Sequence, residues 1–472
     1  MRLLLLAVAL ALPLAAACGS GSSSSGPGAA SGSANAGSAG AALGGLGGGS
    51  GGAGSSGVSG SSSGATNIAG GVAQGGASGA AQAGSGGAAS GSSGAAGGGS
   101  VIDASTLDHK LVMGYQGWFA CPGDGSPVNR WVHWFKNQTA SASNLSVDLW
   151  PDTSELDAAE LFPTTMTLPG GAPAKLYSAW TKATVERHFR WMQEASLDGV
   201  MLQRFSSELA DPAFFALRNQ VTSNVRSGAE KYGRVFAVMY DVSGGSADTL
   251  LNVLKQDWSY LVNTMKVTAS DRYLRHKGKP LLAIWGLGFT DRPLNAAQSQ
   301  AIVDYFKTGA PSAEQVTLLG GVPANWRTLN GDSQTDPAFS AVYKSFDVLS
   351  PWAVGRYVDM ASADNYNTGS IVPDLAATKA AGIDYLPVVF PGFTWKNLNA
   401  GPLNQIPRKG GTFYWHQIDN ALGSGAHMLY GAMFDEVDEG TALFKVAPNA
   451  PSEPAQGSLV PLDADGVTLK SD

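Results

Sequence analysis

Four carboxylates follow an apolar run near the end of the folded part of the chain. Residues 427–433 are typical of a buried strand, and residues 434–441 behind them contain Asp435, Glu436, Asp438 and Glu439. Barrel enzymes place their chemistry where a strand ends, and cleavage of a glycosidic bond needs two carboxyl groups beside the reacting carbon. Residues three apart on a strand point to opposite faces. Glu436 and Glu439 therefore converge only if the chain turns between them, and Gly440 favours a sharp bend.

Two simpler interpretations of the acidic segment stay open at this point. One is a solvated acidic turn with no chemical role. The other is a structural calcium site, because loops rich in carboxylate oxygen suit that ion. Other features of the sequence are needed to distinguish these interpretations from a catalytic pair.

The N-terminus predicts export and attachment to a membrane. Residues 1–18 have the form of a signal peptide, with a charged Arg2 and an apolar stretch too short to stay in a bilayer. Small residues lead into Cys18, and this pattern resembles the bacterial lipobox. It predicts lipidation of Cys18 and a lipid-anchored protein of the bacterial cell envelope, at the cell surface or on the periplasmic face. Ordinary secretory cleavage with an incidental Cys18 is the alternative.

Composition divides the remaining chain into three parts. Residues 19–100 are almost entirely Gly, Ser and Ala, without a charged or aromatic residue, which predicts a disordered linker. Residues 101–447 have the composition of one globular domain, and the Pro-rich residues 448–472 form a tail. The net charge of −7 argues against nucleic acid as a partner.

Hydrophobic periodicity in the globular part predicts a single (β/α)8 TIM barrel. Short apolar runs, typical of buried parallel strands, alternate with amphipathic helical windows. The predicted strands cover residues 111–118, 199–205, 235–241, 280–285, 316–322, 346–352, 385–390 and 428–435. No glycine-rich nucleotide motif follows any of them. The long interval between the first two strands, residues 120–198, predicts one helix and a long loop after the first strand that roofs the strand ends.

Aromatic and polar side chains gather at the predicted strand ends, as a sugar-binding site requires, because sugars have apolar faces and many hydroxyls. The predicted substrate-binding residues are Tyr115, Gln116, Trp118, His133, Trp134, Gln203, Arg204, Asp241, Trp285, Trp352 and Asp435. Arg204 is expected to pair with a carboxylate, either in the site or in a salt bridge at the barrel rim. His133 lacks partners at ligand spacing, so no metal is predicted, and no organic cofactor is implied.

The acidic segment resembles a known family. Residues 434–441 are similar to the Asn-Glu-Trp-x-Glu-Gly-Thr motif of glycoside hydrolase family 99, the endo-α-mannosidases and endo-mannanases. Residues 113–119 and 131–134 resemble the opening of bacterial proteins described as like families 71 and 99. The resemblance implies a retaining reaction through a 1,2-anhydro sugar, with Glu436 as the base and Glu439 as the acid/base. Asp435 replaces the Asn of the motif and Val437 replaces its Trp.

Together these features predict a surface-tethered glycoside hydrolase that cleaves an extracellular poly- or oligosaccharide, with an α-mannoside as one candidate, through Glu436 and Glu439. The rival hypothesis is a non-catalytic glycan-binding lipoprotein on a degenerate glycosidase barrel. Binding that survives the loss of both glutamates would favour the rival. A melting temperature that falls on chelation, with activity indifferent to both glutamates, would favour the calcium interpretation.

Overall fold

The structure is a computed structural model that describes residues 100–468. The predicted signal peptide, Cys18 and residues 19–99 of the predicted linker lie outside the described residues. Within residues 100–468, no helix is long and apolar enough to cross a bilayer.

Most of the strands in the described residues pair in parallel. In chain order the strands are β1 (Leu111–Tyr115), β2 (Leu161–Thr167), β3 (Pro173–Tyr177), β4 (Gly199–Phe205), β5 (Val235–Asp241), β6 (Arg275–His276), β7 (Lys279–Trp285), β8 (Thr317–Val322), β9 (Val348–Pro351), β10 (Asp384–Tyr385), β11 (Val388–Val389) and β12 (Leu429–Gly431). Strands β2 and β3 form a separate antiparallel hairpin, and β6 pairs antiparallel with β7. The other strands are parallel to their neighbours.

The parallel sheet closes on itself because β10 and β11 are two halves of one strand. The sheet runs β10-β9-β8-β7-β5-β4-β1-β12-β11, and only Leu386 and Pro387 separate its two ends along the chain. Leu386 donates its N–H to Leu349 on β9 at 2.8 Å, and Pro387 accepts from Tyr430 on β12 at 3.0 Å. Proline has no N–H to continue the ladder, so the strand divides here. With these halves joined the barrel has eight strands, and the predicted (β/α)8 fold is confirmed.

Helices cover the outside of the barrel. They are α1 (Lys182–Glu194), α2 (Pro212–Tyr232), α3 (Leu250–Asn263), α4 (Ala296–Asp304), α5 (Phe339–Lys344), α6 (Met360–Tyr366), α7 (Val372–Ala381), α8 (Lys396–Asn399) and α9 (Thr412–Gly423). Helix α2 shows why the sequence folds this way locally. Asp211 accepts hydrogen bonds from the N–H groups of Ala213 and Phe214, Pro212 occupies the first turn, and Gly233 ends the helix with φ +64°. These are the preferred start and stop signals of a helix.

Tyr430 and two methionines fill the barrel below the strand ends. The Tyr430 hydroxyl lies 3.5 Å from the sulfur of Met239 and 3.3 Å from that of Met433. Gly114 is required beside this ring, because a Cβ there would lie 2.2 Å from the Tyr430 hydroxyl oxygen. The barrel centre is therefore packed and buried.

Two regions differ from the prediction in detail. The interval between β1 and β4 contains the β2–β3 hairpin besides the predicted helix, and the half-exposed strands of this hairpin carry little hydrophobic signal. The last strand ends at Gly431 instead of Asp435. It stops early because Met433 bonds to Thr441 at 3.3 Å and accepts from Leu443 at 3.0 Å. The acidic segment is thus a loop whose two ends are tied together.

Candidate active site

The acidic loop, residues 434–442, lies against the end of β1. Phe434 donates its backbone N–H to Gly114 at 2.7 Å, and the Glu436 carbonyl accepts from Thr441 and Ala442 at 3.1 and 2.9 Å. This reversal of the chain is the turn that Glu436 and Glu439 need in order to converge. Of the four carboxylic residues, three are almost fully enclosed, at 1% exposed for Asp435, 5% for Glu436 and 2% for Asp438, whereas Glu439 is only partly buried.

Asp435 secures the turn that follows β1. Its two carboxyl oxygens accept from the backbone N–H groups of Gln116 and Gly117 at 2.7 and 2.8 Å. Burial raises the pKa of Asp435 to about 7 against the opposing effect of these two bonds. We expected Asp435 to bind substrate, but both of its oxygens are occupied by the protein backbone. In this position it holds Gln116 at the strand end.

Glu436 is fixed by one hydrogen bond to each carboxyl oxygen. Gln116 donates from Nε2 at 2.6 Å, and the Thr441 hydroxyl donates to the other oxygen at 2.6 Å. Burial and the charge of Asp438 raise the pKa of Glu436, while these two bonds act in the opposite direction because they favour the ionised form. The carboxyl group is therefore oriented and held by donors, as a catalytic base should be.

Glu439 has a different environment. Within residues 100–468 no hydrogen bond is made to its carboxyl group, although its backbone carbonyl accepts from Thr394 at 3.0 Å. Burial, followed by the charges of Glu436 and Asp438, raises its pKa well above the ordinary range. Because Glu436 has donors that stabilise its charge and Glu439 has none, we assign the proton of this pair to Glu439. A protonated, partly exposed carboxyl can act as a general acid.

Asp438 contacts His133 from the loop that follows β1. One oxygen of Asp438 lies 3.6 Å from His133 Nδ1, and the other is buried without a partner among the described residues. Burial and the neighbouring charge of Asp148 raise the pKa of Asp438. Burial lowers the pKa of His133 to about 3, so its imidazole is neutral near pH 7. His133 adopts φ +61°, a conformation uncommon outside glycine.

His133, Trp118 and Phe205 form a stack of three rings beside the acidic loop. The His133 ring lies 3.8 Å from Trp118 with an interplanar angle of 7°, and Phe205 lies 5.4 Å from the indole at 16°. Two rings thus stack on Trp118, and with only 8% of its surface exposed the indole has little area left for a sugar. Phe205 ends β4, is partly exposed and was missed by the sequence reasoning, although its aromatic character at a predicted strand end was a usable signal.

A second group of predicted residues does gather at the mouth of the barrel. Gln203 donates to Asp241 at 3.0 Å across neighbouring strands. Trp285 and the partly exposed Trp352 meet edge to face at 5.1 Å. The indole N–H of Trp285 is buried and unpaired among the described residues, as is Oε1 of Gln116. These groups provide hydrogen-bonding atoms and an aromatic edge at the mouth of the barrel.

Three predicted site residues face away from this mouth, and the structure corrects their placement. The Tyr115 hydroxyl lies 2.9 Å from His188 Nδ1 in the outer core, and Trp134 is fully buried with its N–H donated to Tyr177 at 3.0 Å. Arg204 is fully buried and pairs with Asp257 on α3 at 2.9 and 2.5 Å. Alternation along β4 explains the last case: Gln203 points into the barrel, so Arg204 points to the helices.

Asp148, Thr394 and Arg408 support the acidic loop and were not singled out from the sequence. The backbone N–H of Asp148 bonds to the Val437 carbonyl at 3.0 Å, and its side chain accepts from the Thr394 hydroxyl at 2.6 Å. Arg408 donates to the carbonyls of Gly440 and Ala442 at 2.8 and 2.7 Å. These contacts come from distant parts of the chain, and no local sequence signal identifies them.

Among the described residues, no group of three or more His, Cys, Asp or Glu side chains is arranged to hold a metal ion. The acidic loop therefore gives the calcium interpretation no support there. Cys121 is buried with its sulfur 3.1 Å from the Tyr177 carbonyl. Burial raises the pKa of its thiol well above the ordinary range, which makes it unsuited to act as a nucleophile.

Comparison with known proteins gives a likeness at the level of the fold. No family model and no curated protein matches the sequence. Two solved structures of the GH99 endo-alpha-mannosidase from Bacteroides thetaiotaomicron, one in complex with bis-tris propane, match with TM-score 0.55 and 16% identity. Each match covers 78% of this chain and 94% of the other. A structure described as a glycoside hydrolase-like protein matches with TM-score 0.44 and 14% identity, over 69% of this chain and 96% of its own. The chain thus has the barrel fold of the GH99 enzyme.

Proposed function

We propose that this protein is a retaining glycoside hydrolase that acts on an external poly- or oligosaccharide and is tethered to the cell envelope through a lipidated Cys18. The observation that carries the proposal is the asymmetry of the two glutamates. Glu436 is buried and held by Gln116 and Thr441, while Glu439 is partly exposed and has its pKa raised. One oriented base beside one protonated acid is the arrangement that glycosidic cleavage requires.

In this proposal Glu436 takes the proton of the sugar hydroxyl next to the anomeric carbon. The hydroxyl oxygen forms a bond to that carbon as the bond to the leaving group breaks. Glu439 gives its proton to the departing glycosidic oxygen. Glu439, now ionised, then removes a proton from water, and the water opens the three-membered ring while Glu436 returns its proton to the hydroxyl oxygen. The anomeric configuration is retained after the two displacements.

The two departures from the family motif have local explanations that leave this chemistry intact. Asp435 accepts from two backbone N–H groups, and a carboxylate can accept both, whereas an amide has only one acceptor oxygen. Val437 is fully buried and its carbonyl accepts from Asp148 and Leu149. An indole in place of this enclosed side chain would not fit without movement of the residues around it, so the surroundings of the site differ from the motif at residue 437.

The likeness to an endo-alpha-mannosidase makes α-mannosides the first substrates to test. The unpaired polar atoms of Gln116, Trp285 and Asp438 support a ligand with several hydroxyl groups, because each buried polar atom is stabilised when it gains a hydrogen bond.

The decisive experiment is digestion of a glycan panel, including α-mannans, by the purified protein, with the Glu439→Gln variant alongside. Release of oligosaccharides by the native protein alone would support the proposal, and NMR of the first product anomer would test retention. Binding by both forms without cleavage would favour the non-catalytic glycan-binding alternative. Activity that is the same in the Glu436→Gln, Glu439→Gln and native proteins would exclude this pair.

The tether needs a separate test. Expression of the full chain in a bacterium supplied with a radiolabelled fatty acid should label the native protein and not the Cys18→Ala variant. The variant should also leave the membrane fraction. Unlabelled native protein, or a variant that stays with the membrane, would contradict the lipidation of Cys18.

A further inference from the structure

A pocket unrelated to the acidic loop lies between the C-terminal segment and the turn that joins β2 to β3. Its volume is about 440 Å³, and the side chains that line it are apolar apart from Glu453, with Pro169, Pro451, Pro454 and Leu459 among them. The two sides are joined by hydrogen bonds. Ala455 donates to the Thr167 carbonyl at 2.9 Å, and the Gln456 amide bonds the Thr167 backbone and hydroxyl at 3.1 Å each. The pocket is therefore built from paired backbone segments.

Glu453 is the one ionisable residue among the described residues that line this pocket. It is only 4% exposed, and its Oε2 is buried without a hydrogen-bond partner among the described residues. Burial, together with the charge of Asp463, raises the pKa of Glu453 to about 8. An enclosed carboxyl without a partner is unfavourable when it ionises, so this residue needs a reason for its position.

The surroundings of Glu453 limit which class of ligand could pair with its carboxyl group. A sugar needs several hydrogen-bonding groups, and this pocket offers a single polar side chain. A calcium ion takes six or more oxygen ligands, and no group of three acidic, His or Cys residues is arranged for a metal in residues 100–468. A quaternary ammonium is recognised by aromatic rings, which are not among the described lining residues. An anion would be repelled by Glu453 and Asp463.

We propose that this pocket binds a primary ammonium group carried on a short aliphatic stem, with Glu453 as its counter-ion. The methylene groups of the stem would pack against the proline rings and Leu459, as the stem of a lysine packs on apolar surface. The ammonium would donate to the Glu453 carboxylate in a charge-assisted hydrogen bond. A lysine side chain of another protein and a free alkylamine share this chemistry.

The test uses the full protein and two probes that differ only in charge. n-Butylammonium chloride is titrated at a pH above 8, where Glu453 is ionised, and 1-butanol is the neutral control. We expect saturable shifts of the Leu459 methyl resonances with butylammonium, with a dissociation constant in the millimolar range, and no saturation with butanol. Glu453→Gln should weaken binding by about tenfold or more, which corresponds to the loss of one charged hydrogen bond. The exposed Glu194→Gln is the matched control.

Several results would overturn the assignment. Equal shifts with butanol would make the pocket a purely apolar one, and unchanged affinity in Glu453→Gln would remove its role as counter-ion. Affinity that does not increase as the pH rises through about 8 would contradict ionisation of Glu453 as the condition for binding. None of these readouts depends on glycan cleavage. If butylammonium binds as expected, a lysine-containing peptide and free spermidine, titrated in parallel, would show whether a protein or a small amine is the better ligand.

Discussion

At the scale of single residues, the site depends on how differently two glutamates are held within four positions of the chain. Glu436 has a donor on each oxygen, and Glu439 has none among the described residues. The sequence could single out this segment as the candidate site, because strand-end position and carboxylate spacing are local properties. It could not show that Asp435 is occupied by the turn after β1, because that depends on contact between residues about three hundred positions apart.

The proposed roles predict different behaviour for the two glutamine variants. Glu439→Gln removes the proton donor, so activity on a natural glycoside should fall by about 10² to 10⁴. An aryl glycoside with an acidic leaving group needs little proton donation, so its cleavage should fall far less. Glu436→Gln removes the base and should abolish both activities. The measurement is kcat/KM on the two substrates, with Glu194→Gln as the control for a surface glutamate. Equal losses on both substrates in both variants would contradict the division of roles.

Asp438 should set the alkaline limit of activity. Its charge helps to raise the pKa of Glu439, so Asp438→Asn should let Glu439 lose its proton at a lower pH. The alkaline limb of the kcat/KM profile should then move to lower pH, while the acidic side changes less. A uniform loss of activity without a shift of that limb would mean that Asp438 has only a structural role. The neighbouring variant His133→Gln separates the two effects, since His133 is neutral and its removal should not move the limb in this way.

At the scale of elements, alternation along the strands decides which side chains reach the site. On β4, Gln203 bonds to Asp241 at the barrel mouth, and Arg204 bonds to Asp257 beneath α3. The sequence predicted both as substrate-binding because it located the strand end without its register. Neighbouring side chains on a strand point to opposite faces, so knowing the direction of either residue would have shown that only one of the two reaches the site. The β2–β3 hairpin was missed for a different reason, since its strands are half exposed and pair only with each other.

The buried Arg204–Asp257 pair makes this correction testable. Arg204→Ala would leave Asp257 enclosed, with the Tyr240 hydroxyl still donating to it at 2.6 Å but without a counter-charge. Loss of one partner of a buried pair costs about 3–5 kcal/mol, so the free energy of unfolding in urea should drop by that amount. The double variant Arg204→Met with Asp257→Leu should recover most of the loss. A rise in KM with unchanged stability would instead indicate that Arg204 binds substrate.

At the scale of the whole molecule, the eight-stranded barrel was predictable because repeated apolar runs and helical windows occur along the entire domain. The support of the acidic loop was not. It depends on Asp148 and Arg408, which come from the loop after β1 and from the segment before α9. Closure of the barrel brings these regions together, and their contacts enclose several carboxyl groups. The stability of the whole molecule therefore depends on pH, because each enclosed acid has a different pKa in the folded and unfolded states.

This linkage predicts that stability falls as the pH rises from about 6.5 to 8.5. In the folded protein burial raises the pKa of Asp435 to about 7 and that of Glu453 to about 8, and it also raises the pKa of Glu439. The folded state therefore holds protons that the unfolded chain has already lost, so stability decreases with pH by about 1.4 kcal/mol per unit for each such group. His133 and His188, with pKa lowered to about 3, act in the opposite direction only below about 6.5. Urea unfolding at pH 6.5 and 8.5 measures this difference in the free energy of unfolding.

The Glu439→Gln variant should reduce the dependence of stability on pH and unfold at a higher urea concentration than the native protein at pH 8.5. A stability that stayed constant or increased over this pH range would contradict the burial of these acids.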